Sequence, residues 1–186
     1  MTHPRKPNRK NRKAAHEAAF FISTHPLNQL AMNSNRHMEQ GDLAEVQLSY
    51  RSKQNPTSQP QILDPQGAEQ YLRGIWDQDA MELNEDFIVL MLTSSKHCLG
   101  WARISRGGST ATIVDPASVF KLALLANSQC LICAHNHPSN NLRISSTDKA
   151  LTKRLVDAGR LLGIEVIDHL VLTRYGFSSF SQQGLM

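Results

Sequence analysis

Apolar residues fall into two kinds of pattern along this chain, short unbroken runs and helical stripes. Phe87–Leu92 is an uninterrupted run of strand length, the kind buried on both faces. After Ser94–Lys96, Cys98–Ser105 reads as its antiparallel partner, and Gly107-Gly108 breaks it. Thr110–Val114 predicts one more short strand. Cys130–Ala134, Ile164–Thr173 and Tyr175–Phe180 predict three further strands. Upstream, Leu43–Arg51 alternates through Val46, Leu48 and Tyr50, which predicts a strand opening the domain, and Ser52–Pro60 is a loop with two prolines.

Helices announce themselves by their starts. Asp64-Pro65 and Asp115-Pro116 each place a capping Asp before a Pro suited to the first helical position. Ala68, Tyr71, Leu72 and Ile75 follow the first signal at helical spacing up to Trp76. Phe120, Ala123 and Leu124 form the stripe after the second, before Asn127. A third helical pattern begins at about Ser145, with Leu151, Leu155, Ala158 and Leu162 on one face and Gly163 as its stop. Strands and helices mix without a regular βαβ repeat. That order predicts an α/β sandwich with a mixed sheet.

Charge separates the chain into two parts. Arg5, Lys6, Arg9, Lys10, Arg12 and Lys13 sit in the first thirteen residues with no acid among them. A chain of net charge +4 is therefore two charges negative over the rest. Residues 1–41, rich in Asn, His, Pro and basic groups, predict a disordered basic extension, with a short helix at Ala14–Ile22 as its one candidate element. The cluster could contact nucleic acid in a sequence-blind, salt-dependent way; the plainer reading is a solvated terminus. No apolar run approaches the roughly 18–20 residues of a membrane span, so no membrane partner is expected. His16 and Glu17 spoil Ala14–Ile22 as a signal peptide. Three cysteines, an odd number, argue against a disulfide framework and for a reducing cytoplasm.

The stretch Cys133–Asp148, C-A-H-N-H-P-S-N-N-L-R-I-S-S-T-D, gathers the candidate chemistry. His135 and His137, two apart at the end of an extended run, point to one side and can reach one metal ion. Pro138 and Ser139–Asn141 stop the strand and turn the chain. Asp148 then falls in the first turn of the next helix. Two imidazoles and a carboxylate are the ligand set of a catalytic zinc, with the fourth position left for water. A helix-capping role is the structural alternative for Asp148, as it is for Ser145. A zinc-activated water also needs a nearby carboxylate to take its proton. Glu82, Glu85 and Asp86, just before Phe87–Leu92, are the candidates.

The spacing His-x-His, seven residues, Ser, two residues, Asp resembles the JAMM (MPN+, or JAB) metalloprotease signature. A-H-N-H-P-S and V-I-D-H-L-V-L-T are similar to its RadC-like branch. So are E-D-F-I-V-L-M-L, L-G-W-A-R-I-S-R-G-G and D-P-A-S-V-F-K-L-A-L, and together these pieces span about residues 44–186. The resemblance implies a JAMM/MPN-type, cytidine-deaminase-like mixed β-sheet flanked by helices over residues 42–186. It implies Zn²⁺ on His135, His137 and Asp148. Glu85, two positions before the Phe, matches the family's catalytic glutamate, and Ser145 matches the serine that donates to the oxyanion.

This chain departs from the branch at two places. Asn140 stands where the branch usually has Gly after H-N-H-P-S, and Asn tolerates a left-handed turn better than most residues. Ile144 stands where a Pro usually precedes the signature serine. The longer RadC proteins carry a helical N-terminal region of DNA-binding type, where this chain has its basic tail. Other features read as structure. Cys130-x-x-Cys133 lies in an apolar strand and reads as buried thiols, not a redox pair. Gly107-Gly108 marks a turn, and Ser139 has no triad partners. Asp168-His169 reads as a structural or orienting contact before an acid–base couple. The expected function is zinc-dependent hydrolysis of a peptide or isopeptide bond in a protein substrate. The alternatives are a DNA-associated accessory protein of the RadC repair type with an idle site, and a metal-bearing module that binds a peptide tail without cutting it.

Overall fold

Each of the five strands expected within the described residues is present. The structure, a computed structural model, describes residues 55–107 and 114–186. The basic extension with its candidate helix, the strand expected at 43–51 and residues 110–113 lie outside them. All described residues belong to one unit, Tyr50–Met186.

The strands are β1 (Asp86–Leu92), β2 (Cys98–Arg106), β3 (Cys130–Asn136), β4 (Glu165–Leu172) and β5 (Phe177–Ser179). They form one sheet in the order β2-β1-β3-β4-β5. Pairing is antiparallel except between β3 and β4, so the sheet is mixed, as the irregular element order predicts. Three helices cover it: α1 (Pro65–Ile75), α2 (Pro116–Leu125) and α3 (Ser146–Leu162). Asp64 caps α1 by accepting from the Gly67 N–H, and Asp115 caps α2 by accepting from Ala117 and Ser118. Gly163 ends α3 at φ 68°, the left-handed position that glycine adopts without cost.

β1 and β3 are buried along their whole lengths because helices lie on both faces. On one face Ile88, Leu90 and Leu92 join Ile132, Ala134, Leu170 and Leu172 beneath Ala68 and Leu72 of α1. On the other, Phe87, Val89 and Met91 join Leu131, Cys133 and Val166 beneath Val119, Phe120 and Ala123 of α2 and Leu155 of α3. Each large apolar side chain fully buried this way contributes about 1.5–3 kcal/mol. Cys130 and Cys133 belong to different cores, three residues apart on a strand and so on opposite faces. They are not a dithiol pair. Burial and the nearby Asp168 carboxylate push the Cys133 thiol up to about 12, which leaves it inert at neutral pH.

Two apolar stripes are rotated from their expected faces. On α3 the buried residues are Thr152, Leu155 and Gly159, while Leu162 is exposed. On α2 they are Val119, Phe120 and Ala123, and Leu124 is 56 % exposed. The cause on α3 is its contacts: Thr152 meets a buried histidine of β4, and Gly159 lets the helix close on the chain at Ile164. Hydrophobicity alone places a stripe through Leu151 and Ala158; a hydroxyl with a buried partner and a glycine at a close approach outweigh it.

A Cβ at Gly159 would collide with the Ile164 carbonyl oxygen and press on Phe120 and Val166. Alanine at an open helical position is worth about 1 kcal/mol over glycine. Here the sign reverses. Gly159→Ala is expected to destabilise the fold by about 1–3 kcal/mol, the usual cost of overpacking. Urea denaturation of the variant beside wild type checks it, and an equal or higher midpoint refutes the close approach.

Candidate metal centre

The site forms where β3 runs out at the face carrying α3. His135 is the penultimate residue of β3 and only 2 % exposed; His137 follows one residue beyond the strand and is half-buried. The His137 N–H is held by the Leu172 carbonyl of β4 at 2.9 Å, so the strand direction continues through it. The chain then turns, the Asn140 N–H donating to the His137 carbonyl at 3.0 Å. Asn140 has φ 58°, the left-handed conformation expected of it in place of glycine. Its amide also donates to Glu82 at 2.7 Å and accepts from the Arg174 N–H at 3.2 Å.

Asp148 arrives from the other side on the first turn of α3. Ser145 and Asp148 form a capping box: the Ser145 hydroxyl oxygen accepts from the Asp148 N–H at 3.1 Å, and Asp148 Oδ2 accepts from the Ser145 N–H at 2.8 Å. The cap therefore orients the carboxylate instead of consuming it. Asp148 Oδ1 lies 3.4 Å from His135 Nε2, and Oδ2 lies 3.7 Å from His137 Nε2. The two Nε2 atoms are 3.0 Å apart.

These three separations suit one ion. Ligands at 2.0–2.1 Å from a tetrahedral zinc stand about 3.3 Å from one another. The donor chemistry agrees. His137 Nδ1 lies 2.6 Å from the Asn141 carbonyl oxygen, which only accepts, so Nδ1 carries the proton and Nε2 its lone pair. Burial, with the nearby His137, pulls His135 down to about 4, against the opposing pull of Asp148. His135 is therefore neutral at physiological pH. Burial would raise Asp148, but the Ser145 hydrogen bonds and the two imidazoles outweigh it and hold the carboxyl below its usual range. Among the described residues, His135, His137 and Asp148 are the one group of three or more such side chains placed to share a metal ion.

The three candidate bases separate. Asp86 is buried, and its carboxylate is locked by Arg103 at 2.9 Å and by Arg106 at 2.9 and 3.0 Å. Glu82 is taken up by Asn140 and Arg174 at the rim. Glu85 precedes β1, and strand alternation puts it on the face of Phe87 and His135, which pair across β1 and β3. Extending that register by two residues sets Glu85 opposite His137.

Asn136, the residue between the two histidines, has a part that the motif does not reveal. It points to the opposite face, is fully buried, and clamps the loop that precedes β1. Its Oδ1 accepts from the Asp86 N–H at 2.8 Å, and its Nδ2 donates to the Met81 and Asn84 carbonyls at 2.7 and 2.8 Å. Alternation shows the direction of the side chain, but nothing local in sequence identifies a loop fifty residues away. The Asp168-His169 pair divides in the structure. Asp168 ties down Ser179, Ser181 and the His169 N–H, while the His169 ring contacts His135. They are not an acid–base couple.

Comparison with known proteins shows which sequences this chain resembles. The chain matches the RadC-like JAB domain family over residues 62–185. It is 35 % identical over 144 residues to a UPF0758 protein of Symbiobacterium thermophilum, covering 77 % of this chain and 60 % of that one. Over 102 residues it is 41 % identical to a UPF0758 protein of Flavobacterium johnsoniae, covering 55 % and 44 %. A UPF0758 protein of Shouchella clausii is 33 % identical over 190 residues, covering 94 % and 80 %. The chain thus spans about half to three fifths of the first two relatives.

Two measurements follow from the site's burial. Both His135 and His169 are held below the ordinary value, chiefly by burial, so in acid the unfolded chain binds protons that the folded chain refuses. Stability of the metal-free protein therefore falls as pH drops from about 6.5 toward about 4, with Asp148 adding to the loss at lower pH. A urea midpoint distinctly lower at pH 5 than at pH 7 is expected; equal midpoints contradict it. Asn136→Ala strands the buried Asp86 N–H and two carbonyls, at about 1–3 kcal/mol for each group left unpaired. Amides of residues 81–86 should exchange faster in that variant, and unchanged protection rules out the clamp.

Proposed function

The chain belongs to the RadC-like JAB domain family, and from that premise we propose that it is a zinc-dependent hydrolase of the JAMM type acting on peptide or isopeptide bonds of a protein substrate. The convergence of His135 Nε2, His137 Nε2 and the Asp148 carboxylate on one point carries the reading. Two imidazole lone pairs and a carboxylate facing one another within these distances are a cation's ligand set, in a site where burial keeps His135 neutral. Zinc bound there would polarise a carbonyl and bring the pKa of a coordinated water to about 7.

The rest of the chemistry belongs to the chain's own groups. Glu85 takes the proton of the attacking water and delivers it to the leaving nitrogen, which departs as an amine. Ser145 is suited to the oxyanion that develops on the scissile carbonyl. In the capping box its oxygen accepts, so its single proton is not spent on the cap. Asp86, held by Arg103 and Arg106, steadies the start of β1 beside Glu85. The cytoplasm is the proposed compartment: all three cysteines are buried and none forms a disulfide. Among the described residues no helix is long and apolar enough to cross a membrane.

Metal analysis of the purified protein beside two variants tests this. Wild type is expected to hold about one zinc per chain, and His135→Ala/His137→Ala to hold none. Glu85→Gln should keep its zinc yet lose hydrolysis of peptide or isopeptide substrates by about 10²–10⁴-fold, the range for loss of a general base. Failure of wild type to take up zinc would sink the proposal. An active Glu85→Gln would move the base elsewhere.

A further inference from the structure

β4 carries one residue more than regular pairing with β3 requires. Leu131 pairs with Val166 but Ile132 pairs with Asp168, so Ile167 is an insertion. Paired residues share a face, and faces alternate along a strand. The insertion therefore sets His169 beside Cys133, on the face of His135; an uninterrupted ladder would have set Asp168 there. His169 is fully buried, edge-on to Phe87 at 5.4 Å and stacked on Phe180 at 4.8 Å between ring centres. Both its nitrogens are engaged. Nε2 lies 2.8 Å from His135 Nδ1, and Nδ1 lies 2.6 Å from Thr152 Oγ1.

Counting protons gives this chain a direction. Thr152 has one hydroxyl proton, and its Oγ1 lies 2.7 Å from the Asp148 carbonyl oxygen, which only accepts. The proton goes there. Thr152 Oγ1 then accepts from His169 Nδ1–H, which leaves a lone pair on the Nε2 of this neutral ring. His135 must therefore donate from Nδ1, and its own Nε2 is left as a lone pair toward His137 and Asp148. The reverse direction puts two oxygens 2.7 Å apart with no proton between them. It also puts the His135 proton on Nε2, where the three ligands converge.

We propose that Thr152 and His169 are positioning residues that fix His135 in its metal-binding tautomer through a one-way relay starting at the Asp148 backbone. The relay rests on the metal-site reading above. It joins two ligands from different elements, His135 on β3 and Asp148 on α3, through β4. Asp148 thus serves twice: its side chain faces the ion's position and its carbonyl anchors the proton order. Ligating histidines commonly give their second N–H to a carboxylate or carbonyl. Here a second imidazole receives it, and that imidazole is a suitable acceptor only while Thr152 holds its far side.

The test begins with the zinc-stripped full chain, with no variant needed. Nitrogen-15 shifts of the imidazoles should show His135 and His169 each protonated on Nδ1; a proton on His135 Nε2 overturns the relay. Zinc affinity is then read by chelator competition on folded variants. His169→Leu, which removes the acceptor, should bind about 10–100-fold more weakly. His169→Gln, able to return a carbonyl oxygen toward His135, should recover part of that loss. Thr152→Val, close in shape, should release the His135 tautomer into a mixture and weaken zinc about tenfold, and Thr152→Ser should restore both. A folded His169→Leu or Thr152→Val that binds zinc like wild type refutes the proposal. If wild type takes up no zinc, the hydrolase reading fails, while the tautomers of the metal-free protein still decide the relay.

Discussion

Two imidazole nitrogens held 3.0 Å apart are the constraint that the surrounding structure answers. Ring nitrogens presenting lone pairs to each other repel, and protonating the buried His135 costs more where burial has removed water. Asp148 at 3.4 and 3.7 Å brings a third electron-rich group to the same point, and a bound cation would turn the mutual repulsion into shared attraction. Each of these groups is held from behind. Asn141 grips His137, His169 grips His135, and the Ser145 N–H grips Asp148. Stability is spent there on a geometry whose own internal contacts are poor, which is how preorganised sites are built.

The opposite face of the same strand end carries a second, purely structural network. Asn136 holds the loop 81–86, and Asp86 holds Arg103 and Arg106 on the edge strand β2. A carboxylate buried as deeply as Asp86 needs both guanidinium partners, since an unpaired charge there costs several kcal/mol. This network lets the loop that carries Glu85 start at a defined position relative to His135 and His137. One alternating tripeptide, His135-Asn136-His137, thus presents two imidazoles to one side and anchors the loop on the other.

Much of this was legible in the chain, for physical reasons that also mark where legibility ends. Asp64-Pro65, Asp115-Pro116, Ser145 and Gly163 are local signals, since a cap is satisfied within three residues, and the helix boundaries follow them. Phe87–Leu92 reads as a buried strand because both faces are apolar. His135 and His137 are legible as one-sided by alternation, and Asp148 by the turn that returns it. The partners of these groups were not legible. The loop held by Asn136 lies about fifty residues away, and the face of His169 depends on a single inserted residue in β4. Periodicity with one skipped position gives the wrong side for everything beyond it. The rotated stripe of α3 failed similarly, because Thr152 and Gly159 are buried for reasons other than hydrophobicity.

Asp148 shows why stability and chemistry cannot be assigned to separate residues here. At the third position of α3 its carboxylate is favoured by the helix N-terminus and by the Ser145 N–H, so the helix gains from an anion whether or not a metal is present. The same bonds fix the carboxylate's orientation, leaving Oδ1 toward His135 and holding the group ionised. Asparagine at this position could still cap, but it would bring no charge to oppose a cation. Glutamate would carry the charge and could close the same box, but one more methylene would move its carboxylate from the place Asp148 holds beside the histidines. The reading of Asp148 as a cap and its reading as a ligand are therefore one requirement seen from two sides. A short carboxylate serves both because α3 begins where β3 delivers its histidines.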